Sequence, residues 1–189
     1  LPLPLPLPLP LGQGCYAHGR GAVHQEQVRA ACVYAGKTAS VLNLLINPLS
    51  DYDAPFFGAD FVTLPSGHLL ALDFQPVLKN DVVHTEHVWD KLIPLQNYWQ
   101  SQLPSGGPLP KEAEQYFSPG LLWTRIPLGK DGESVIDEII RPAYNDYLTL
   151  YFELLEQSER LTKDRSSLMS LGKRKYMKYR AENDPARNM

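Results

Sequence analysis

Cysteine is close to absent: Cys15 and Cys32 are the only two in 189 residues. Such a pair supports no disulfide framework and has no metal-ligand spacing. Both thiols are expected to stay free in a reducing compartment. Long apolar runs are missing too. No stretch approaches the roughly 18–20 residues that a membrane span needs, so no membrane partner is expected. Nor is there a strong net charge. The 18 Lys and Arg against 21 Asp and Glu leave -3 and an isoelectric point near 6.0, which argues against nucleic-acid binding by the chain as a whole. No phosphate-cradling glycine loop is expected, since the G-x-G at Gly12 to Gly14 follows no strand. The five histidines form no H-E-x-x-H. His84 and His87, three apart, are expected to be a surface pair rather than a metal site.

What is present is an ordinary soluble composition, 43% hydrophobic and 21% charged, with the length of one domain. Leu1 to Leu11 alternate Leu and Pro. Proline fixes φ and lacks an N–H, so this run is neither helix nor central strand. Residues 1–20 are read as a disordered or non-native extension and 21–189 as the domain. A short helix is expected from His24 to Ala35, closed by Gly36. Strands follow at Thr38–Ile46, Phe56–Leu64 and His68–Phe74, separated by an Asn47–Asp51 turn and the tight Pro65-Ser66-Gly67 turn. Val83–Gln100 reads as a helix that Pro94 kinks or breaks. Gly120–Ile126 suits a strand and Gly129–Gly132 a turn. Ser134–Ser158 reads as an amphipathic helix interrupted at Pro142, with Leu148, Tyr151, Phe152 and Leu155 as its stripe. Thr162–Ala181 is a last helix. Consecutive strands with short links make an antiparallel meander, and their near-continuous apolar runs imply helices on both faces.

Two features carry chemistry. Asp60 in Phe-Phe-Gly-Ala-Asp-Phe-Val and Asp73 in Leu-Ala-Leu-Asp-Phe are carboxylates within apolar strands. Burial of that kind is costly and pushes a carboxyl toward neutrality, which suits a proton donor. A strand-end Asp facing water is the competing reading for each. The second feature is a basic run. Arg160 to Arg180 holds Arg160, Lys163, Arg165, Lys173, Arg174, Lys175, Lys178 and Arg180 against Asp164 alone. On an otherwise acidic chain this suits steering of a negatively charged partner, or simply a solvated helix face.

Three segments, in order and in spacing, resemble the ferredoxin-dependent bilin reductases. They are Asp53-Ala-Pro-Phe-Phe-Gly-Ala-Asp-Phe-Val-Thr-Leu-Pro-Ser-Gly-His-Leu-Leu-Ala-Leu-Asp-Phe-Gln-Pro76, then Tyr116-Phe-Ser-Pro-Gly-Leu-Leu-Trp-Thr-Arg125, and Tyr179-Arg-Ala-Glu-Asn-Asp-Pro-Ala-Arg187. The resemblance covers roughly 28–189. It implies an α/β fold, a three-layer α/β/α sandwich with a central antiparallel sheet and a bilin between sheet and C-terminal helices. It implies no bound flavin, nicotinamide or metal, and single electrons arriving from a [2Fe-2S] ferredoxin. The expected partners are therefore biliverdin IXα, an acidic ferredoxin and the next bilin reductase of the pathway, with the protein a monomer. Cyanobacterial cytoplasm or plastid stroma is the implied setting. Members of the family continue beyond the terminal D-P-A-R and carry more N-terminal sheet, so a copy incomplete at both ends is implied.

By the same resemblance Asp60, the Asp of F-G-x-D, is a proton donor beneath the pigment, and Asp184 is a second proton-handling group. Asn43 stands one strand earlier, where some members place His or Asp, and is expected to hydrogen-bond a lactam. Asn43 with Asp60 points to reduction of biliverdin at the 15,16 bridge. The alternatives are an enzyme that makes phycoerythrobilin, in two steps from biliverdin or in the second step alone, and a non-catalytic bilin carrier. Asp73 becomes the structural Asp. Arg125 and Arg187 are candidates to hold the substrate propionates, and Lys173, Arg174, Lys175 and Lys178 to dock ferredoxin.

Overall fold

The computed structural model describes residues 14–19, 25–36, 39–109 and 111–183. Six strands, β1 (Gly14–Gly19), β2 (Gln25–Tyr34), β3 (Ser40–Pro48), β4 (Phe56–Leu64), β5 (Gly67–Gln75) and β6 (Leu122–Ile126), form one sheet in sequential order. Every neighbouring pair is antiparallel. The helices are α1 (Val82–Gln100), α2 (Lys111–Glu114), α3 (Lys130–Val135), α4 (Arg141–Gln157) and α5 (Lys163–Asn183), with a π-helical turn at Ile136–Ile140.

The strand period of two sorts side chains onto two faces. Phe57, Ala59 and Phe74 face one way and join Leu92 of α1 and Tyr147, Tyr151 and Leu155 of α4 in the main core. Phe56 and Leu45 face the other way, against Met169 and Tyr176 of α5. The sheet is thus the middle layer of an α/β/α sandwich, as expected. The buried tyrosines are satisfied at their polar tips: Tyr147 donates to the Gly120 carbonyl and Tyr151 to the Pro55 carbonyl, each at 3.0 Å.

Several local expectations are corrected. Residues 25–34 are strand β2, not a helix. Val28, Ala31 and Ala35 have helical spacing, but pairing with β1 and β3 decides the element. Gly36 has φ +60° and turns the hairpin into β3 rather than ending a helix. Of the presumed extension, Gly14–Gly19 pair with β2 and belong to the sheet. Residues 1–13 and 20 lie outside the described residues. Helix α1 runs through Pro94, which is exposed. The carbonyl left without a helical donor there belongs to Asp90, itself an exposed residue. The expected turn at Gly129–Gly132 is mostly helix, α3 starting directly after Gly129. Pro142 does not break its helix either. The π turn immediately before it widens the backbone where the proline has no N–H to give.

His84 is buried, not a surface residue. Its Nδ1 pairs with Asp53, and its Nε2 accepts from the Val77 N–H at 3.0 Å. Arg165 at the start of α5 pairs with Asp81, the N-cap of α1. Asp51 accepts from Ser166 Oγ at 2.7 Å and from the Leu161 N–H at 2.7 Å. These ties fix the first turn of α5 over the sheet, so the rest of the helix lies across β3 to β5.

Candidate functional site

The register places Asn43 of β3 directly opposite Asp60 of β4. Both stand on the face that α5 covers. The Asn43 carboxamide N–H donates to Asp60 Oδ1, and Arg180, from the last turn of α5, donates to Asp60 Oδ2 at 3.1 Å. The side chains of Arg180 and Asp60 are only 10% and 15% exposed, so this ion pair is largely shielded from water. A carboxyl in an apolar strand is costly unless it is paired or neutral. The structure supplies a counter-charge from 120 residues further along. Asn43 is fully buried, and its Oδ1 has no hydrogen-bond partner among the described residues. It leaves an accepting oxygen beside Asp60.

Asp60 opens onto an apolar cavity of about 290 Å³, near the lower end of the roughly 300–1,000 Å³ usual for small-molecule sites. Val62, Leu69 and Ala71 form its sheet side, Trp123 its β6 side, and Phe117 and Leu121 the connection before β6. Tyr179 and Arg180 of α5 close it. Trp123 is held by Nε1 donating to the Gly107 carbonyl at 3.1 Å. The indole lies on Gly106, where a Cβ would come within 2.2 Å of Nε1; only glycine leaves it room. Gly58 of F-G-A-D serves a similar purpose. A Cβ there would stand 3.0 Å from Gln75 Oε1, the oxygen that accepts from the Tyr176 hydroxyl. The cavity walls therefore offer the Asp60 carboxylate, the Gln75 carboxamide and the Arg180 guanidinium on a largely apolar lining, while Asn43 stands behind Asp60 and is not among the walls. That combination suits a largely apolar ligand with a polar edge that meets Asp60 and Arg180.

Asp73 is placed elsewhere. It is fully buried, accepts from the Ser118 N–H at 2.9 Å and from the Ser118 hydroxyl, and does not line the cavity. Burial pushes its carboxyl up to about 7. Its work is to tie the connection before β6 to β5, in agreement with the structural reading. Arg125 is exposed on β6 and is not among the cavity walls. Asp184 and Arg187 lie outside the described residues.

The basic run divides. Arg174, Lys175 and Lys178 are exposed. Lys173 is not, at 4% exposure, and this corrects its assignment to a docking surface. Its ammonium donates to the Pro48 carbonyl and stands 5.9 Å from the Phe56 ring centroid. Met169, Lys173, Tyr176 and Arg180 are all buried and recur at i, i+4, i+7, i+11, the stripe of a packed helix. Arg180, counted by sequence only among the basic residues, was legible in that spacing.

A family model described as "Ferredoxin-dependent bilin reductase" matches residues 24–189. Over 163 residues, 86% of this chain, it is 63% identical to the phycoerythrobilin:ferredoxin oxidoreductase of Synechococcus sp. (strain WH8020). It is 61% identical to that of Synechococcus sp. (strain CC9311) and 60% to that of Prochlorococcus marinus (strain MIT 9211), over the same share. The chain spans about 63% of the length of these relatives. Among solved structures, selenomethionine phytochromobilin synthase from tomato, crystallised with biliverdin, superposes with a TM-score of 0.80 at 24% identity. That match covers 92% of this chain and 60% of the tomato chain, and it shows the likeness of fold.

Proposed function

The chain belongs to the ferredoxin-dependent bilin reductases, and from that premise we propose that it reduces 15,16-dihydrobiliverdin to phycoerythrobilin with electrons from reduced ferredoxin. The observation that carries this choice is the set of relatives, 60–63% identical, that are named phycoerythrobilin:ferredoxin oxidoreductase. It displaces the expectation of reduction at the 15,16 bridge of biliverdin, which rested on Asn43 and Asp60. Those two side chains are directly hydrogen-bonded and act as one group. Which carbon they protonate depends on how the cavity walls seat the pigment, and two positions in a sequence do not specify that.

In this reading the protein binds no flavin, nicotinamide or metal of its own and works as a monomer, in cyanobacterial cytoplasm or plastid stroma. Each electron converts the bilin to a more basic radical state, and Asp60 supplies a proton to the carbon above it. Arg180 compensates the carboxylate once that proton has left. Asn43 Oδ1 accepts from a pyrrole or lactam N–H and fixes the pigment's register. Asp184 is the second proton source, and Arg125 and Arg187 hold the propionates. Arg174, Lys175 and Lys178 attract the acidic electron donor.

Anaerobic incubation with either biliverdin or 15,16-dihydrobiliverdin, reduced ferredoxin and a regenerating system, followed by chromatography, tests the reaction. Dihydrobiliverdin is expected to disappear into phycoerythrobilin. Biliverdin turnover that stops at dihydrobiliverdin would overturn the choice of step. Asp60→Asn is expected to retain bilin while turnover stalls at a coloured radical, and normal turnover by that variant would remove Asp60 from its role.

A further inference from the structure

A second opening lies on the other side of the aromatic wall that Tyr179 contributes to the cavity. It is a groove of about 640 Å³ between α5, the link Pro76–Asn80 and the segment Lys111–Tyr116. Its cations are Lys79, Lys111 and Lys175, and Glu114 is its one acidic side chain among the described residues. Arg174 and Lys178 extend the positive surface along α5. Leu168 and Leu171 line the groove while 42% and 44% exposed. Large apolar side chains left open to water within a predominantly positive rim are the anatomy of a protein interface. The groove has a fixed shape, because α5 packs on the link through Gly172, where a Cβ would lie 2.7 Å from the Val77 carbonyl oxygen.

The floor of this groove reaches the cavity. Tyr116 and Tyr176 line the groove, and Tyr179 lines the cavity. The Tyr116 ring stacks on Tyr179 at 3.9 Å with an interplanar angle of 20°, and meets Tyr176 edge-on at 6.0 Å. One pair of stacked rings therefore spans from groove to site. The other apolar opening, beside Leu42, Phe61 and Tyr144, lies on the opposite face of the sheet. Its one cation, Arg141, is paired with Asp137 at 2.6 Å. It offers neither a predominantly positive rim nor a route to Asp60.

We propose that the groove is where an acidic [2Fe-2S] electron-donor protein docks, and that the Tyr116–Tyr179 stack is the path by which its electron reaches the cavity. This rests on the reductase reading above. Each docking event oxidises the donor cluster by one electron and reduces the pigment by one. The rings only shorten the gap for tunnelling, and no protein bond changes. Two such events, with two protons, complete a two-electron reduction.

The test uses direct titration of an acidic [2Fe-2S] ferredoxin onto the chain, together with turnover driven by ferredoxin or by dithionite. The triple variant Lys79→Glu, Lys111→Glu, Lys175→Glu is expected to bind ferredoxin at least about tenfold more weakly. Arg141→Glu on the opposite face is expected to leave affinity unchanged. Tyr116→Leu is expected to slow ferredoxin-driven turnover at saturating ferredoxin by a larger factor than it slows dithionite-driven turnover, while Tyr116→Phe restores the ferredoxin-driven rate. Equal affinity of wild type and triple variant overturns the docking site, and an undiminished rate in Tyr116→Leu overturns the path. A chain that binds ferredoxin through these lysines yet reduces no pigment with either donor keeps the docking site and overturns the proposed reaction instead.

Discussion

Asp73 and Asp60 look alike in the sequence, each a lone carboxylate in an apolar strand, yet their surroundings differ in kind. Asp60 meets a guanidinium and opens to a cavity. Asp73 meets only Ser118 and the backbone, with no cation bonded to it. Neither distinction was legible locally, because Arg180 and Ser118 arrive from 120 and 45 residues away. The anomaly itself was legible, since an acid in such a strand demands either a partner or a neutral form. Asp73 shows the second outcome. Burial raises its carboxyl from 3.8 to about 7, against hydrogen bonds from Ser118 that lower it. Between those values the folded chain keeps a proton that the unfolded chain has released, so stability falls as pH rises through the window. Asp51, lowered chiefly by Ser166, and Asp81, lowered chiefly by Arg165, act in the opposite sense only below 3.8. Asp73→Asn keeps an acceptor for the Ser118 N–H and a donor for its hydroxyl. It is expected to flatten the decline between about pH 4 and 7 and to raise stability at about pH 8 by on the order of a few kcal/mol. Urea denaturation of both proteins at acid and alkaline pH measures this, and parallel pH profiles would refute it.

Among elements, the strands β3 to β6 were readable because each is a short apolar run bounded by turn residues, and the Pro65-Ser66-Gly67 turn fixed one hairpin outright. Strand β2 was not, because its apolar residues fit a helical period as well as a strand, and only its neighbours choose between them. Helix α5 was placed correctly but its faces were not. Counting basic residues hid the buried stripe that includes Lys173 and Arg180. Gly172 lies beside that stripe and looks like a weakness in a 21-residue helix. Replacing it with alanine should favour the helix by about 1 kcal/mol on propensity alone. The packing argues the reverse. The new Cβ would stand 2.7 Å from the Val77 carbonyl oxygen and 2.8 Å from Val77 Cγ1, and that backbone N–H is itself fixed by His84. Overpacking of this kind costs about 1–3 kcal/mol and should outweigh the propensity gain. Gly172→Ala is therefore expected to lower the thermal midpoint, and a midpoint at or above wild type would show that the link yields.

Across the whole molecule, charge is segregated more sharply than the net value of -3 suggests. Residues 160–180 hold eight of the 18 basic residues and one of the 21 acidic ones, so the rest of the chain carries ten basic against twenty acidic. Part of that positive segment is used internally. Arg160 pairs with Asp51, Arg165 with Asp81, and Arg180 with Asp60, while Lys173 is buried. The exposed Lys163, Arg174, Lys175 and Lys178 remain, and the fold brings Lys79 and Lys111 beside Lys175 from distant sequence. Under the proposed docking, an acidic partner would be attracted at this groove and disfavoured by the acidic remainder of the chain, which would orient it before contact. Such steering depends on fields that reach beyond the surface. The screening length shrinks from about 10 Å at 0.1 M salt to about 3 Å at 1 M. With subsaturating ferredoxin, turnover is expected to fall steeply over that range. Dithionite-driven turnover should change little, because its reductant needs no oriented docking. A ferredoxin-driven rate indifferent to salt would mean that the segregated charge has no part in the encounter, and the apolar centre formed by Leu168 and Leu171 would have to carry recognition alone.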